Sequence, residues 1–114
     1  MAATSSRPEI LEVGPLEIIP SEHLARASGR TLTLSIRELR LLTELARRAD
    51  RIMSREELFQ LVWGREMRPG DRSVDVYVRK LRVKLERALP AYRFIHTHFG
   101  FGYRLCAEPI PERQ

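Results

Sequence analysis

The chain has 114 residues with 43% hydrophobic and 31% charged side chains, which predicts one folded domain rather than a disordered chain. No apolar run approaches the roughly 20 residues of a membrane-spanning helix, and the first residues lack the apolar segment of a signal peptide. The formal net charge of +5 favours a polyanionic partner, either nucleic acid or an anionic membrane surface.

The first third of the sequence predicts a tail and then a small antiparallel sheet. Residues 1–9 are rich in Ser, Thr and Pro and show no periodicity, so we expect a flexible tail or linker there. Short segments of strand composition follow, and turn-forming glycine and proline residues separate them. They cover residues 10–13, 16–19, 24–27 and 30–34.

Two capping boxes predict the starts of the first two helices. In each box a serine hydroxyl can accept from the backbone three residues on, while a glutamate there reaches back to the serine amide. Ser35 with Glu38, and Ser54 with Glu57, have this spacing. The first helix should extend to about residue 49, with an apolar face of Ile36, Leu39, Leu42, Ala46 and Ala49.

The third helix, residues 72–89 before Pro90, carries most of the charge. Residues 72–87 hold six basic and two acidic side chains, a net charge of +4 against +5 for the whole chain. A helical wheel with about 100° per residue places a core stripe on one side, with Tyr77 at its edge. That stripe is Val74, Val78, Leu81, Leu85 and Ala88. The opposite face is Arg72, Ser73, Val76, Arg79, Lys80, Val83 and Arg87.

This basic face has two interpretations. A charged helix face often only contacts solvent, with i,i+4 pairs such as Asp75 with Arg79. Val76 and Val83 favour another role, because a solvated face gains little from valine methyl groups. Those methyls can contact thymine methyls in the major groove, while the surrounding cations meet phosphates or guanine edges. We therefore predict a helix-turn-helix whose last helix enters double-stranded DNA.

Two further segments of strand composition close the domain. Residues 94–97 and 103–106 predict a β-hairpin with a five-residue loop at 98–102. A hairpin beside a recognition helix indicates the winged variant of the helix-turn-helix. We expect the domain to fill residues 10–107 and the Pro-rich residues 108–114 to form a loose tail.

The remaining reactive side chains do not build a catalytic or metal site. Cys106 is the only cysteine, which excludes an internal disulfide, and the three histidines complete no zinc spacing. The sequence also lacks an acid–base pair, a nucleophile triad and a phosphate-cradling loop. We therefore expect no cofactor, no metal and no enzymatic activity, and a reducing, cytoplasmic location.

Several separate motifs, in the right order over residues 32–105, resemble the OmpR/PhoB-type winged-helix effector domain of bacterial response regulators. They are Leu32-Thr33-Leu34, Ser54-Arg55-Glu56-Glu57-Leu58, Val62-Trp63-Gly64, Arg72-Ser73-Val74-Asp75-Val76-Tyr77-Val78-Arg79-Lys80-Leu81-Arg82, Lys84-Leu85-Glu86, and Thr97 followed by Gly100-Phe101-Gly102-Tyr103. The resemblance implies an α+β fold with an N-terminal antiparallel four-stranded sheet, three helices and a C-terminal hairpin wing at residues 94–106. It also implies transcription control within two-component signalling.

The resemblance further implies how such a domain meets its partners. The third helix would enter the major groove, the wing would contact the adjacent minor groove, and a second copy would bind a tandem repeat. Carried over by position, the helix contacts are Arg72, Ser73, Tyr77, Arg79, Lys80, Arg82 and Lys84. Trp63, Thr97 and Tyr103 resemble residues that position the DNA backbone, although Trp63 and Tyr103 equally fit core positions. Loop 65–71 matches a segment that touches RNA polymerase in some members.

Other possibilities stay open at this point. The family's receiver domain does not fit within 114 residues, so we expect either an excised effector domain or a stand-alone regulator. A winged-helix protein-interaction module with an acidic partner is the alternative function. Membrane binding is disfavoured, because it needs an exposed apolar face and this stripe is required for the core.

One position departs from the resemblance and yields a prediction. The family's wing usually has an arginine just before the first glycine of its turn, where this chain has Phe99. An arginine exploits the negative potential of a narrow minor groove, and a phenylalanine cannot. We expect Phe99→Arg to raise affinity for duplex DNA in a fluorescence-anisotropy titration. Unchanged or weaker binding would contradict this view of the wing.

Overall fold

The computed structural model describes residues 8–111, so parts of both predicted tails, residues 1–7 and 112–114, lie outside the described residues. The elements in chain order are β1 (Leu11–Val13), β2 (Leu16–Ile19), β3 (Leu24–Ala27), β4 (Arg30–Thr31), α1 (Ile36–Arg47), α2 (Arg55–Trp63), α3 (Ser73–Ala88), β5 (Tyr92–His98) and β6 (Gly102–Pro109). This order confirms the expected α+β architecture. Within residues 8–111, no helix is long and apolar enough to span a bilayer.

The N-terminal sheet is a meander in which each strand pairs antiparallel with the next, in the order β1-β2-β3-β4. Alternate side chains point to one face, as strand geometry requires, and that face lies against the helices. Its buried residues are Val13, Leu16, Ile18, Ala25 and Ala27. The predicted fourth strand at residues 30–34 was too long, since β4 ends at Thr31 and the chain then turns toward the Ser35 cap.

Helix α1 begins as predicted, and its buried face includes Leu42 and Ala46 of the predicted face but not Ile36. The capping box is present, with the Glu38 amide donating to Ser35 Oγ at 3.2 Å and the Ser35 amide donating to Glu38 Oε1 at 2.8 Å. Ile36, assigned to the core from periodicity, is 81% exposed, while Leu41 and Leu45 are fully buried. The sequence carries two overlapping apolar stripes, and packing against β1, α2 and α3 selects the one with Leu41 and Leu45.

Helices α2 and α3 follow their local sequence signals closely. The Ser54–Glu57 capping box begins α2, and Gly64 ends it in the left-handed conformation with φ +75°. In α3 the core stripe is confirmed except at its end, where Ala88 is exposed and Leu89 is buried instead. The helix ends at Ala88, so the backbone of Leu89 turns its side chain inward.

The hairpin is anchored to the segment between α1 and α2. Met53 and Tyr103 exchange two backbone hydrogen bonds, at 2.7 and 2.9 Å. Gly102 lies so close to this segment that an added Cβ would be 1.9 Å from the Met53 carbonyl oxygen, and its φ is +141°. Strand β6 also continues through Glu108 and Pro109, which pair with β5, so the predicted loose tail at 108–114 begins too early. Long-range pairing therefore orders residues whose composition indicates a loop.

A charged contact joins the start of α1 to α3. Glu38 is only 3% exposed, and Lys84 Nζ donates to its Oε1 at 2.6 Å. Burial by itself would raise the pKa of Glu38, but hydrogen bonds from Lys84 and from the Ser35 amide outweigh burial and lower it. The carboxylate thus serves two elements, since it caps α1 and holds α3 beside it.

We expect Glu38→Gln to lower the free energy of unfolding by about 1 kcal/mol at pH 7, measured by urea denaturation. The matched control is Glu57→Gln, which alters the exposed capping box of α2 and should cost less. The folded-state pKa of Glu38 is lowered from its ordinary value of 4.5. Its contribution to the free energy of unfolding is therefore present when the pH is above that ordinary pKa, and it is lost as the pH falls through the folded-state pKa. The difference between wild type and Glu38→Gln should therefore shrink below about pH 4. Equal losses in the two variants would contradict the role of Lys84.

Candidate nucleic-acid interface

The surface opposite the core stripe of α3 is basic and open to solvent. Its exposed members are Arg72, Val76, Arg79, Lys80, Val83 and Arg87. The two valines are 46% and 40% exposed, so the face combines cations with accessible methyl groups. Ser73, also assigned to this face, is half-buried at the first turn, where its amide donates to Asp71 Oδ1 at 2.8 Å. The face predicted from the wheel is therefore a real surface of the folded domain.

An aromatic cluster braces α2 against α3 beside this face. The Trp63 ring stacks on Phe59 with centroids 4.8 Å apart, and Tyr77 meets it edge-on at 5.6 Å. The Arg37 guanidinium lies 4.7 Å from the Trp63 ring centroid, and Lys80 Nζ lies 4.7 Å from that of Tyr77. Trp63 and Tyr77 are both half-buried, so packing occupies much of each ring. Both rings therefore pack between α2 and α3, and Lys80 of the basic face lies over the Tyr77 ring.

Arg82 connects α3 to the hairpin. Its guanidinium donates to the Ile95 carbonyl oxygen at 3.0 Å and to Thr97 Oγ1 at 2.5 Å. Both Arg82 and Thr97 carry predictions of DNA contact, yet in the free domain they bind each other. The contact fixes the first strand of the hairpin against the middle of α3.

A second connection between α3 and the hairpin runs through Asp75. The Tyr103 hydroxyl donates to Asp75 Oδ1, and Arg55 Nε of α2 donates to the same oxygen at 2.7 Å. Burial opposes ionisation of Asp75, but the hydrogen bonds from Tyr103 and Arg55 outweigh it and lower its pKa. Burial first, and then the bond to Asp75, raise the pKa of the Tyr103 phenol.

These contacts change two interpretations of the sequence and add one residue that the sequence did not predict. Asp75 does not pair with Arg79 four residues on, because its carboxylate faces Arg55 and Tyr103 instead. Arg55 was missed as a site residue, since no local pattern relates it to a residue 20 positions away. Lys84, a predicted DNA contact, donates to Glu38 on the α1 side of the helix.

The tip of the hairpin is short, apolar and exposed. His98 pairs with Gly102, so the loop has three residues, 99–101, rather than the predicted five. Phe99 is 88% exposed and Phe101 is 73% exposed, on either side of Gly100 at φ +83°. Arg104 Nε donates to His98 Nε2 at 3.1 Å and braces the base of the tip.

A shallow depression separates the hairpin from α3. Its lining is Arg72, Asp75, Val76, Arg79, Lys80, Arg82 and Tyr103. Three of the lining residues are exposed cations, namely Arg72, Arg79 and Lys80. A fourth exposed cation, Arg87, lies near the end of α3. Like charges at this density repel one another unless a polyanion neutralises them, so the face suits a phosphate backbone.

Comparison with known proteins places the domain in a family. Residues 29–105 match the family model for the C-terminal domain of transcriptional regulatory proteins. The chain belongs to this family. The match runs from the turn before β4 into β6, so it includes all three helices and most of the hairpin. The OmpR/PhoB-type winged helix-turn-helix expected from the motifs is thereby confirmed.

Curated relatives of this OmpR/PhoB-type domain are longer regulators. The chain is 36% identical over 98 residues to the alkaline phosphatase synthesis transcriptional regulatory protein SphR of Synechococcus elongatus, a match covering 86% of this chain and 38% of SphR. It is 41% identical over 103 residues to the transcriptional regulatory protein PrrA of Mycobacterium tuberculosis, covering 90% of this chain and 43% of PrrA. The chain thus spans about two-fifths of the length of these relatives.

Solved domains of the same type share the fold along nearly their whole length. The DNA-binding domain of CpxR from E. coli matches with a TM-score of 0.78 at 34% identity, covering 86% of this chain and 96% of that domain. The RstA DNA-binding domain of Klebsiella pneumoniae, solved in complex with the RstA box, matches with a TM-score of 0.77 at 32% identity, covering 86% and 97%.

The Asp75 contacts generate a stability prediction for the OmpR/PhoB-type domain. Tyr103→Phe removes one hydroxyl that donates to a carboxylate, so we expect the free energy of unfolding to fall by about 1–2 kcal/mol. The matched control is Tyr92→Phe at the far end of the same hairpin, which should cost less than about 0.5 kcal/mol. Urea denaturation measures both, and a Tyr103→Phe variant as stable as the control would show that the Asp75 contact adds no stability.

Proposed function

We propose that this chain is the effector domain of a response-regulator transcription factor, and that it recognises specific double-stranded DNA sequences in the cytoplasm. It acts by binding and not by catalysis. The observation that carries the proposal is the exposed face of α3, where cations surround two accessible valines beside a hairpin wing. Family membership supports the same function.

In this proposal α3 lies in the major groove. The groove is about 12 Å wide and admits a helix, whose exposed side chains then meet base edges. Val76 and Val83 would contact thymine methyls, and Arg79 and Lys80 would contact guanine edges or phosphates. Arg72 and Arg87 lie near opposite ends of the helix, about 22 Å apart along its axis at 1.5 Å per residue. Each can therefore reach a phosphate on a different side of the groove.

The other predicted DNA contacts fall into two groups, according to whether their polar atoms are already hydrogen-bonded within the free domain. Arg82, Thr97 and Lys84 are hydrogen-bonded within the protein, so their first role in this proposal is to fix the wing and α3. Tyr103 acts likewise through Asp75. Ser73, Tyr77 and Trp63 would reach the DNA backbone from the edge of the basic face. Phe99 would meet the adjacent minor groove.

The proposal extends to the whole protein. A second copy would occupy a tandem repeat, and loop 65–71 would contact RNA polymerase. A receiver domain would control the effector domain by phosphorylation. These parts rest on the family, because the chain covers only 38% of SphR and 43% of PrrA. The alternative, a winged-helix module for an acidic protein partner, predicts that no specific duplex is retained in a selection from random DNA.

The test is selection from a random duplex library, followed by anisotropy titration of Arg79→Ala on the recovered duplex. We expect a loss of about tenfold or more, since one good base contact contributes roughly 1–3 kcal/mol of discrimination. A base reader loses discrimination against random duplex, whereas a phosphate contact lowers the log–log salt slope by about 0.9. Arg30→Ala, at an exposed arginine on the edge of the sheet, is the matched control and should bind like wild type. Equal binding by both variants would refute the recognition-helix assignment.

A further inference from the structure

The wing tip exposes two aromatic side chains that the core does not use. Phe99 is 88% exposed and Phe101 is 73% exposed, and only Gly100 lies between them. Exposed apolar surface of this kind often marks an interaction site. Tyr103, two residues beyond the tip on β6, lines the shallow depression together with Arg72 and Arg79, so the wing borders the proposed DNA-binding surface.

The base of the wing is held in a fixed position relative to α3. Arg82 donates to Ile95 and Thr97 on β5, and Tyr103 on β6 donates to Asp75. Gly102 packs against the Met53 carbonyl with no room for a side chain. Both strands are thus anchored to α3 or to the segment before α2, and the two phenylalanines extend from this base into solvent.

The chemistry of the tip indicates what it would recognise there. Loop 99–101 has no cation, so it gains nothing from the strong negative potential of a narrow A-tract minor groove. Apolar side chains act differently, because they enter the minor groove as wedges between base pairs and partly unstack them. Unstacking costs least at pyrimidine–purine steps such as TA and CA/TG.

We propose that the Phe99–Phe101 tip, led by Phe99, is an apolar wedge that selects a flexible pyrimidine–purine step in the minor groove beside the α3 site. The inference rests on the proposed function and adds a second determinant of sequence preference. In this arrangement α3 reads base edges through hydrogen bonds and methyl contacts. The wing reads how readily the neighbouring step deforms.

The experiment compares duplexes selected from one random library by wild type, Phe99→Ala and Phe99→Arg. We expect all three to recover the same α3 half-site, meaning the base sequence that one copy of α3 contacts, because none of the changes alters the helix. Wild type should add a pyrimidine–purine step at a fixed offset, Phe99→Ala should lose that preference, and Phe99→Arg should replace it with an A-tract. The affinity gain expected for Phe99→Arg should then be largest on A-tract duplexes. Ile36→Ala, which trims an exposed isoleucine on α1, is the control and should keep the wild-type preference.

A second measurement reports the wedge directly. With 2-aminopurine placed in the selected step, wild type should raise its fluorescence on binding, and Phe99→Ala should not. Phe99→Ala should weaken binding about tenfold, the scale of one lost aromatic–base contact, with an unchanged salt slope because no charge is removed.

Three results would overturn the wedge. One is an α3 half-site with no flanking preference, or with an A-tract, in wild type. Another is a preference that survives Phe99→Ala. A third is a Phe99→Ala defect seen only on duplexes with two half-sites, which would assign the tip to contact with a second copy. If no half-site emerges from any variant, the proposed function itself fails and the wedge fails with it.

Discussion

The Asp75 carboxylate joins three elements of the domain at a single oxygen atom. Arg55 of α2 and Tyr103 of the wing both donate to it, and the Arg55 guanidinium lies 5.4 Å from the Tyr103 ring centroid. Burial opposes the charge of this carboxylate, and the hydrogen bonds from both donors lower its pKa and stabilise the anion. The contact therefore ties α2, α3 and the wing together. The proposed DNA-binding face of α3 is presented within this framework.

The cations of α3 fall into two groups with different tasks. Arg82 and Lys84 direct their charge inward, to the wing and to Glu38, and each ties α3 to a neighbouring element. The other four cations stay exposed and make up the surface proposed to face a polyanion; they are Arg72, Arg79, Lys80 and Arg87. A charge count along the helix treats these groups alike, because it takes no account of direction. The proposed interface is consequently narrower than the run of basic residues indicates.

The tip of the wing is apolar. It presents two exposed phenylalanines and no cation, so in the proposed function the long-range attraction to phosphates falls chiefly on α3. An apolar tip can still influence sequence preference, through the cost of deforming DNA rather than through charge. In this proposal the helix would supply salt-dependent affinity, and the wing would supply a sequence preference that salt leaves largely unchanged.

The sequence by itself determined the features that depend on neighbours three or four residues away. The capping boxes at Ser35 and Ser54, the Gly64 stop and the buried stripe of α3 all follow from such short-range contacts. Only the tertiary structure decided which stripe of α1 is buried, how far β6 extends, and where Asp75, Arg82 and Lys84 find their partners. Asp75 meets residues 20 and 28 positions away, and Lys84 meets one 46 positions away. Contacts between residues so far apart along the chain leave no periodic signal in the sequence, because they form only when whole elements pack together.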